Sequence, residues 1–323
     1  MIMSKPDNNN GAESGIALLM VIWILKIMIV IVMAFSLAVR TNAFSTLAYN
    51  EAVKRDFISE AGVQHAIMEL LYRFQKVGRS TSAEVIEEDY WSIDGTVHTE
   101  TLGDTEYYVR ITDEGGKIDI NKGNEILLRG LLSNMELEDE AADTIVDSIL
   151  DWRDPDEDLV RLHGAENDYY MSLPRPYKAK NGDFDSLEEL LLVKGMTSEL
   201  LYGIEGKKKG LIDSLTVFSK DARVNIETAP EEVLRSIPGM SEESVTSIIE
   251  GRKGLDQQEK TPQGAESGPY ITTGKSSNVF TIEVSARNGD KPSGYGTKAV
   301  VRIDSNKKYN ILYWKGLAPV TSQ

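Results

Sequence analysis

From Ile16 to Val39 the chain is almost wholly apolar, with Lys26 as its only charge. Those 24 residues make a helix of about 36 Å, long enough for a bilayer core of about 30 Å. The apolar pattern does not stop there. Phe44, Leu47, Ala48 and Ala52, then Ile58, Ala61, His65, Met68 and Leu71, recur close to i, i+3, i+4 spacing, and no proline falls between Pro6 and Pro155. This periodicity predicts one helix from Ile16 to about Val77, with Gly62 as its only interior glycine. Beyond it the period changes to two. Strand-like runs follow at residues 90–93, 96–99 and 107–111, and Asp94-Gly95 between the first two predicts a hairpin turn. Helical periodicity then dominates from about Asn124 to Gly254, broken by an acidic, proline-containing loop at 154–185. Residues 255–275 are rich in Gly, Gln, Ser and Thr and read as a flexible connection. Strands return at 279–284, 299–303 and 309–314. Strands on both sides of a helical block predict one sheet with a large insertion.

The apolar segment could also be a cleaved secretory signal, because Ser36-Leu37-Ala38 has the small-x-small spacing for cleavage. It is longer than the usual apolar region of such a signal. The preceding leader holds Lys5 against Asp7 and Glu13, not the basic start that secretion requires. A retained membrane helix is the preferred reading. A cation within it is costly in hydrocarbon; Lys26 either snorkels to the interface or meets a carboxylate on a neighbouring helix.

Across all 323 residues, 35 Lys and Arg face 51 Asp and Glu, a net charge of -16. This argues against nucleic acid as the main partner, since phosphate binding draws on Lys and Arg. It suits a divalent cation or a basic protein patch. Cysteine is absent and there are three histidines, so thiolate metal sites are excluded and Zn²⁺ or Ser-His chemistry has little to draw on. No spacing of carboxylates or glycine-rich loop marks a catalytic centre, and an enzyme is not expected.

Residues 134–168 carry thirteen acidic side chains against Arg153 and Arg161. Those at 136–147 fit the solvated side of a helix whose apolar side is Ile145, Val146, Ile149 and Leu150. The loop from Asp151 is different. Asp154, Asp156 and Asp158 alternate across Pro155, and Glu166 and Asp168 follow beyond Gly164. Alternating carboxylates on a turning loop can aim oxygens at one point, as Ca²⁺ needs with about 6–8 oxygen ligands. Gathering them without a cation would cost like-charge repulsion. The spacing is not that of an EF-hand. Asp154, Asp156 and Glu166 are the first candidates for the ligands of a structural Ca²⁺, and Asp151, Asp158 and Asp168 the next.

Two segments align 44 residues apart: Leu190, Val193, Gly195, Met196, Glu199, Leu201 and Ile204 match Leu234, Ile237, Gly239, Met240, Glu243, Val245 and Ile248. The second, Leu234-Arg235-Ser236-Ile237-Pro238-Gly239-Met240, resembles the helix-hairpin-helix of DNA-binding proteins, whose hairpin amides contact phosphate. That opens an alternative, a membrane-anchored DNA receptor of the competence type. Residues 187–254 hold nine Lys and Arg against twelve Asp and Glu, and Ser241-Glu242-Glu243 follows the hairpin glycine, so the motif is read as compact helix packing, without nucleic acid.

A polar leader ending in Gly15, then Ile16-Ala17-Leu18-Leu19-Met20 and one long helix, resembles the N-terminus of type IV pilins and type II secretion pseudopilins. By that resemblance a prepilin peptidase cuts between Gly15 and Ile16 and methylates the new N-terminus. The glutamate usual at the fifth mature position is replaced by Met20, which within the family is typical of the K-type minor pseudopilin. Four stretches extend the resemblance over nearly the whole chain: residues 113–121 (DEGGKIDIN), 151–156 (DWRDPD), 164–170 (GAENDYY) and 224–230 (VNIETAP). Asp119 and Glu227 stand where the family commonly has asparagine. The resemblance implies an α+β fold: a pilin-like long N-terminal helix plus an antiparallel sheet, with a large all-α insertion of helix-hairpin-helix-like repeats. Its implied divisions are a prepilin leader at 1–15, a transmembrane helix at 16–39, a pilin-like core at 40–122, the α-helical insertion at 123–254, the connection at 255–275 and core-completing strands at 276–323. It further implies calcium in the insertion, a single pass through the inner membrane with the globular domain in the periplasm, and a place at the pseudopilus tip with the I and J minor pseudopilins. The partner surface is expected on the exposed side of the long helix, roughly Thr41 to Tyr72.

Overall fold

The computed structural model describes residues 10–77, 91–135, 137–156, 160–204, 207–253, 268–273, 277–288, 291–304, 306 and 308–317. The leader ahead of Asn10, most of the 255–275 connection and Asp158 lie outside them.

The first element is α1, Asn10–Val77, one unbroken helix of 68 residues. It begins within the leader, ahead of the expected Ile16. The chain divides into two compact units, Met1–Phe57 and Ile58–Gln323. In the first unit, the apolar side chains from Ile16 to Val39 are exposed along the helix. α1 is the helix among the described residues long and apolar enough to cross a membrane, and its first half fits a single-pass anchor.

In the second unit, Ile58, Val63, Ala66, Ile67 and Leu70 of α1 are buried in one cluster with residues of an antiparallel sheet. The sheet has five strands in chain order: β1 (Asp94–Leu102), β2 (Thr105–Asp113), β3 (Val279–Asn288), β4 (Lys291–Ile303) and β5 (Tyr309–Leu317). Its inner face follows the period of two: Tyr107, Val109 and Ile111 on β2, Phe280, Ile282 and Val284 on β3, Ala299, Val301 and Ile303 on β4. Gly62 lets the helix come this close, because a Cβ there would lie 2.6 Å from Val284 Cγ1 and 3.0 Å from the Tyr107 ring.

The hairpin turn expected at Asp94-Gly95 lies elsewhere. Leu102 pairs with Thr105, so the connection is Gly103-Asp104, with Gly103 at φ +64°. Asp94 and Gly95 instead open β1 at a register shift. The Asp94 carboxylate accepts the Thr96 amide at 3.1 Å, an Asx turn that mimics a hairpin signal.

Between β2 and β3 the chain builds a second core of its own, running from Ile118 to Ile248. Its helices are α2 (Glu125–Ser133), α3 (Asp139–Arg153), α4 (Asn167–Met171), α5 (Ser198–Tyr202), α6 (Glu231–Ser236) and α7 (Glu242–Lys253). Asn124 caps α2 by accepting the Ile126 amide. Two-residue strand pairs join residues 118–119 to 215–216, 203–204 to 208–209 and 224–225 to 271–272, so the insertion is mainly helical with short strand bridges.

The insertion is tied to the sheet by buried charge at residues 113–121. Asp113, fully buried at the end of β2, accepts from the Gly115 amide, Ser277 Oγ at 2.6 Å, Thr228 Oγ1 at 3.1 Å and Asn225 Nδ2 at 3.4 Å. Glu114 accepts from Lys117 Nζ at 2.7 Å, from Thr281 Oγ1 at 2.7 Å and from Thr216 Oγ1. Burial works to raise the Glu114 pKa, but the Lys117 charge and these hydrogen bonds outweigh it and hold it below the usual value. Asp119 accepts the Asn121, Lys122 and Lys220 amides. These acids crosslink segments about a hundred residues apart in sequence.

Candidate metal centre

α3 carries Asp147 and Asp151 four residues apart on one face, and both are buried. Asp147 departs from the solvated face expected for residues 136–147. It accepts from Arg129 Nη2 at 2.6 Å and from the His163 amide at 3.1 Å, and Arg129 also reaches Asp143. The helix ends at Asp154, whose amide donates to Leu150 O, and Pro155 follows.

Asp151 is wholly buried and saturated. Its Oδ1 accepts from Arg161 Nη1 at 2.5 Å, and its Oδ2 accepts the Ala165 amide at 3.0 Å and the Arg161 amide at 3.3 Å. Burial nevertheless pushes its pKa up, against the opposing pull of Arg161. Gly164 is needed here, since a Cβ would overlap Asp151 Oδ2. Across the loop, Lys194 Nζ donates to the His163 and Gly164 carbonyls at 3.2 and 3.0 Å. The segment 161–166 is therefore clamped from two sides.

Within that clamp sits Glu166, 4% exposed, with neither carboxylate oxygen hydrogen-bonded. Burial, and the charges of Asp151, Asp154 and Asp156, push its pKa up to about 7. Asp154 gives one oxygen to Arg161 Nη1 at 2.7 Å, and its other oxygen, Oδ1, is buried without a partner. A buried carboxylate with no donor is costly, so these orphaned oxygens fit a hard cation that takes oxygen ligands. Asp156 is half-buried and adds to the field at Glu166. Asp168 is exposed in the first turn of α4. Among the described residues no three acidic side chains converge tightly enough to hold a metal; Asp158 is not among them, and Arg161 holds Asp151 and Asp154.

Arg161 and Asn181 were not singled out by the sequence pattern. Asn181, at φ +50°, donates through Nδ2 to the Asp156 carbonyl at 3.4 Å and leaves its Oδ1 buried without a partner. The Gly182 amide donates to Trp152 O, placing this turn against the end of α3.

The two aligned segments share their glycine turns, although a helix of 5 residues follows the first and one of 12 the second, and Ile204 is exposed where Ile248 is buried. Gly195 and Gly239 occupy the same left-handed region at φ +84° and +79°. The Met196 and Met240 amides donate to Val193 O and Ile237 O, each at 3.1 Å, and Leu190, Val193, Leu201, Leu234, Ile237, Val245 and Ile248 enter the insertion core. Three nearby cations are engaged within the protein: Arg235 with Glu231 and Glu242, Lys209 with Glu232, and Lys208 Nζ with the Met135 carbonyl at 2.5 Å.

Residues 111–205 match the family model "Type II secretion system (T2SS), protein K". Among curated proteins, the chain is 42% identical over 72 residues to type II secretion system protein K of Aeromonas hydrophila, covering 22% of each chain. It is 28% identical over 167 residues to the Pseudomonas aeruginosa protein of that name, covering 48% of this chain and 47% of that one. It is 24% identical over 204 residues to a putative type II secretion system protein K of Escherichia coli K12, covering 59% and 60%. The chain thus spans between 22% and 60% of the length of these relatives. A chain in the crystal structure of the GspK-GspI-GspJ complex from the type 2 secretion system of enterotoxigenic E. coli aligns with a TM-score of 0.56 and 16% identity, over 86% of this chain and 99% of that one. At that identity the likeness is one of fold: long helix, antiparallel sheet and further helices. The family model and these curated relatives carry one name, type II secretion system protein K, and it is the family that the sequence resembles.

Proposed function

We propose that this chain, recognised through the type II secretion protein K family, is the minor pseudopilin that caps the tip of a periplasmic pseudopilus. The observation that carries the reading is α1: one continuous helix that is apolar and exposed over Ile16 to Val39 and packs on an antiparallel sheet from Ile58 onward. The family is a structural component of a secretion machine, not an enzyme family, and the chain is read as non-catalytic. The chain would be cut by prepilin peptidase after Gly15, leaving Ile16 as a methylated N-terminus in the inner membrane. The globular unit would then stand in the periplasm. Met20 at the fifth mature position suits a subunit with none ahead of it, and the bulky insertion between β2 and β3 would block addition above it. The partners are the I and J minor pseudopilins, consistent with the complex in which the structural neighbour was solved, and the side of α1 from about Thr41 to Tyr72 would meet them. Co-expression with both should give a ternary complex on size exclusion. Elution of the chain alone, with both partners folded, would end the partner assignment.

The insertion is read as a calcium module. Glu166, Asp154 and Asp156 would hold Ca²⁺, with Asp158, Asp168 and Asp151 as further oxygen donors. A bound Ca²⁺ would supply the positive charge that Glu166 lacks and join the end of α3 to the start of α4. Asp151 and Lys194 position the loop. Calorimetry on the intact protein should show Ca²⁺ binding and a melting temperature raised by calcium; identical melts with calcium and with chelator would remove the metal from the account.

The competence-type DNA receptor keeps one observation in its favour, the two glycine turns of like backbone geometry. Internal pairing of Arg235, Lys208 and Lys209 works against it. A gel shift at low salt with duplex DNA should show no retarded band.

A further inference from the structure

We propose that Arg161 is the resident counter-cation of the metal centre and that Ca²⁺ binds by displacing its guanidinium. This rests on the calcium reading above. The Arg161 guanidinium bridges two separate carboxylates through a single nitrogen, Nη1, at 2.5 Å from Asp151 Oδ1 and 2.7 Å from Asp154 Oδ2. A point between two carboxylate oxygens is where a metal ion sits, and a guanidinium more often pairs through two parallel hydrogen bonds. The one cation leaves the acids only partly neutralised: Asp154 Oδ1 and both oxygens of the buried Glu166 have no donor. A divalent ion taking about 6–8 oxygens would satisfy groups that a monovalent guanidinium in this position does not reach.

The exchange is mechanically simple. The Arg161 side chain is 37% exposed, so it can swing to water without opening the core. Its backbone amide also donates to Asp151, as does that of Ala165. The loop therefore stays anchored when the guanidinium leaves, and Asp151 Oδ1 becomes available. The neighbouring Arg153 cannot take over, because it is spent on the Ile120 and Gly123 carbonyls at 2.6 and 3.1 Å. Arg161 thus keeps the metal-free insertion folded and sets the calcium concentration at which the metal takes its place.

The test uses the full-length protein in detergent. In the wild type, phenylglyoxal labelling of Arg161, read by peptide mass spectrometry, should be several-fold faster in calcium than in EDTA. Arg161→Gln should lower the melting temperature in EDTA, lose most of that deficit in saturating calcium and bind Ca²⁺ roughly tenfold more tightly. Equal or slower labelling in calcium, with Ca²⁺ demonstrably bound, overturns the displacement and leaves the calcium site intact. A wild type that binds no Ca²⁺ fails the calcium reading and this inference together. Because the labelling arm needs no variant, poor folding of Arg161→Gln would not blunt the test.

Discussion

Glu166 is the buried acid on which the proposed calcium site turns. Its folded pKa of about 7 lies above the ordinary 4.5, so metal-free folding favours the protonated acid. That contribution is complete below pH about 4.5 and is lost as pH rises through about 7. Chelated protein should therefore lose stability between about pH 4.5 and 7. Glu166→Gln should flatten that slope, melt higher than the wild type in EDTA at pH 8 and lose the calcium-dependent rise, all readable in one set of thermal melts. The Glu114 contribution has the opposite sign and a separate window, since its lowered pKa gives stability that is lost as pH falls below about 4.5. The sequence made Glu166 and Asp154 visible because spaced carboxylates on a proline-broken loop are a local pattern. It could not show that Asp151 is saturated rather than open. That state depends on Arg161, ten residues away, and on the amides a turn at Gly164 brings back. Asn181 was hidden for the same reason: its neighbour is the end of α3, reached only through the fold.

At the scale of elements, periodicity was a sound guide where burial is one-sided. α1 and the strands of the sheet each present one face to one core, and the pattern records it. It failed at Asp94-Gly95, where the same residue pair serves a bulge and an Asx turn instead of a hairpin. The repeat was legible from its glycines, and the structure shows why they are needed. Gly239 has nothing within 4 Å of where a Cβ would be, whereas at Gly195 that position lies 3.0 Å from Ile145 Cγ1. Gly239→Ala should cost only the left-handed backbone strain, about 1–2 kcal/mol. Gly195→Ala should cost more because it adds crowding against α3, and chemical denaturation of the two variants side by side would rank them. Equal losses would mean that the two hairpins are packed alike. The 113–121 stretch is the other element-scale lesson. Its acids suggested only a family pattern, and their role as a buried staple between sheet and insertion rests on Thr228, Ser277 and Thr281, far along the chain.

At the scale of the molecule, the chain separates into an apolar helical unit and a unit with two cores, one under the sheet and one inside the insertion. The net charge of -16 agrees with a surface for cations and proteins more than for phosphate. Order of elements, with strands flanking a helical block, was enough to expect one sheet carrying an insertion, because antiparallel neighbours in chain order need only short connections elsewhere. The proposed assembly requires the apolar helix to be a pilin-type anchor. Intact-mass and N-terminal peptide analysis, on protein from membranes co-expressing a prepilin peptidase, tests it directly. Pilin-type processing gives a chain that begins at Ile16 with a methylated amine. A chain retaining Met1, or one beginning after Ala38, would contradict it.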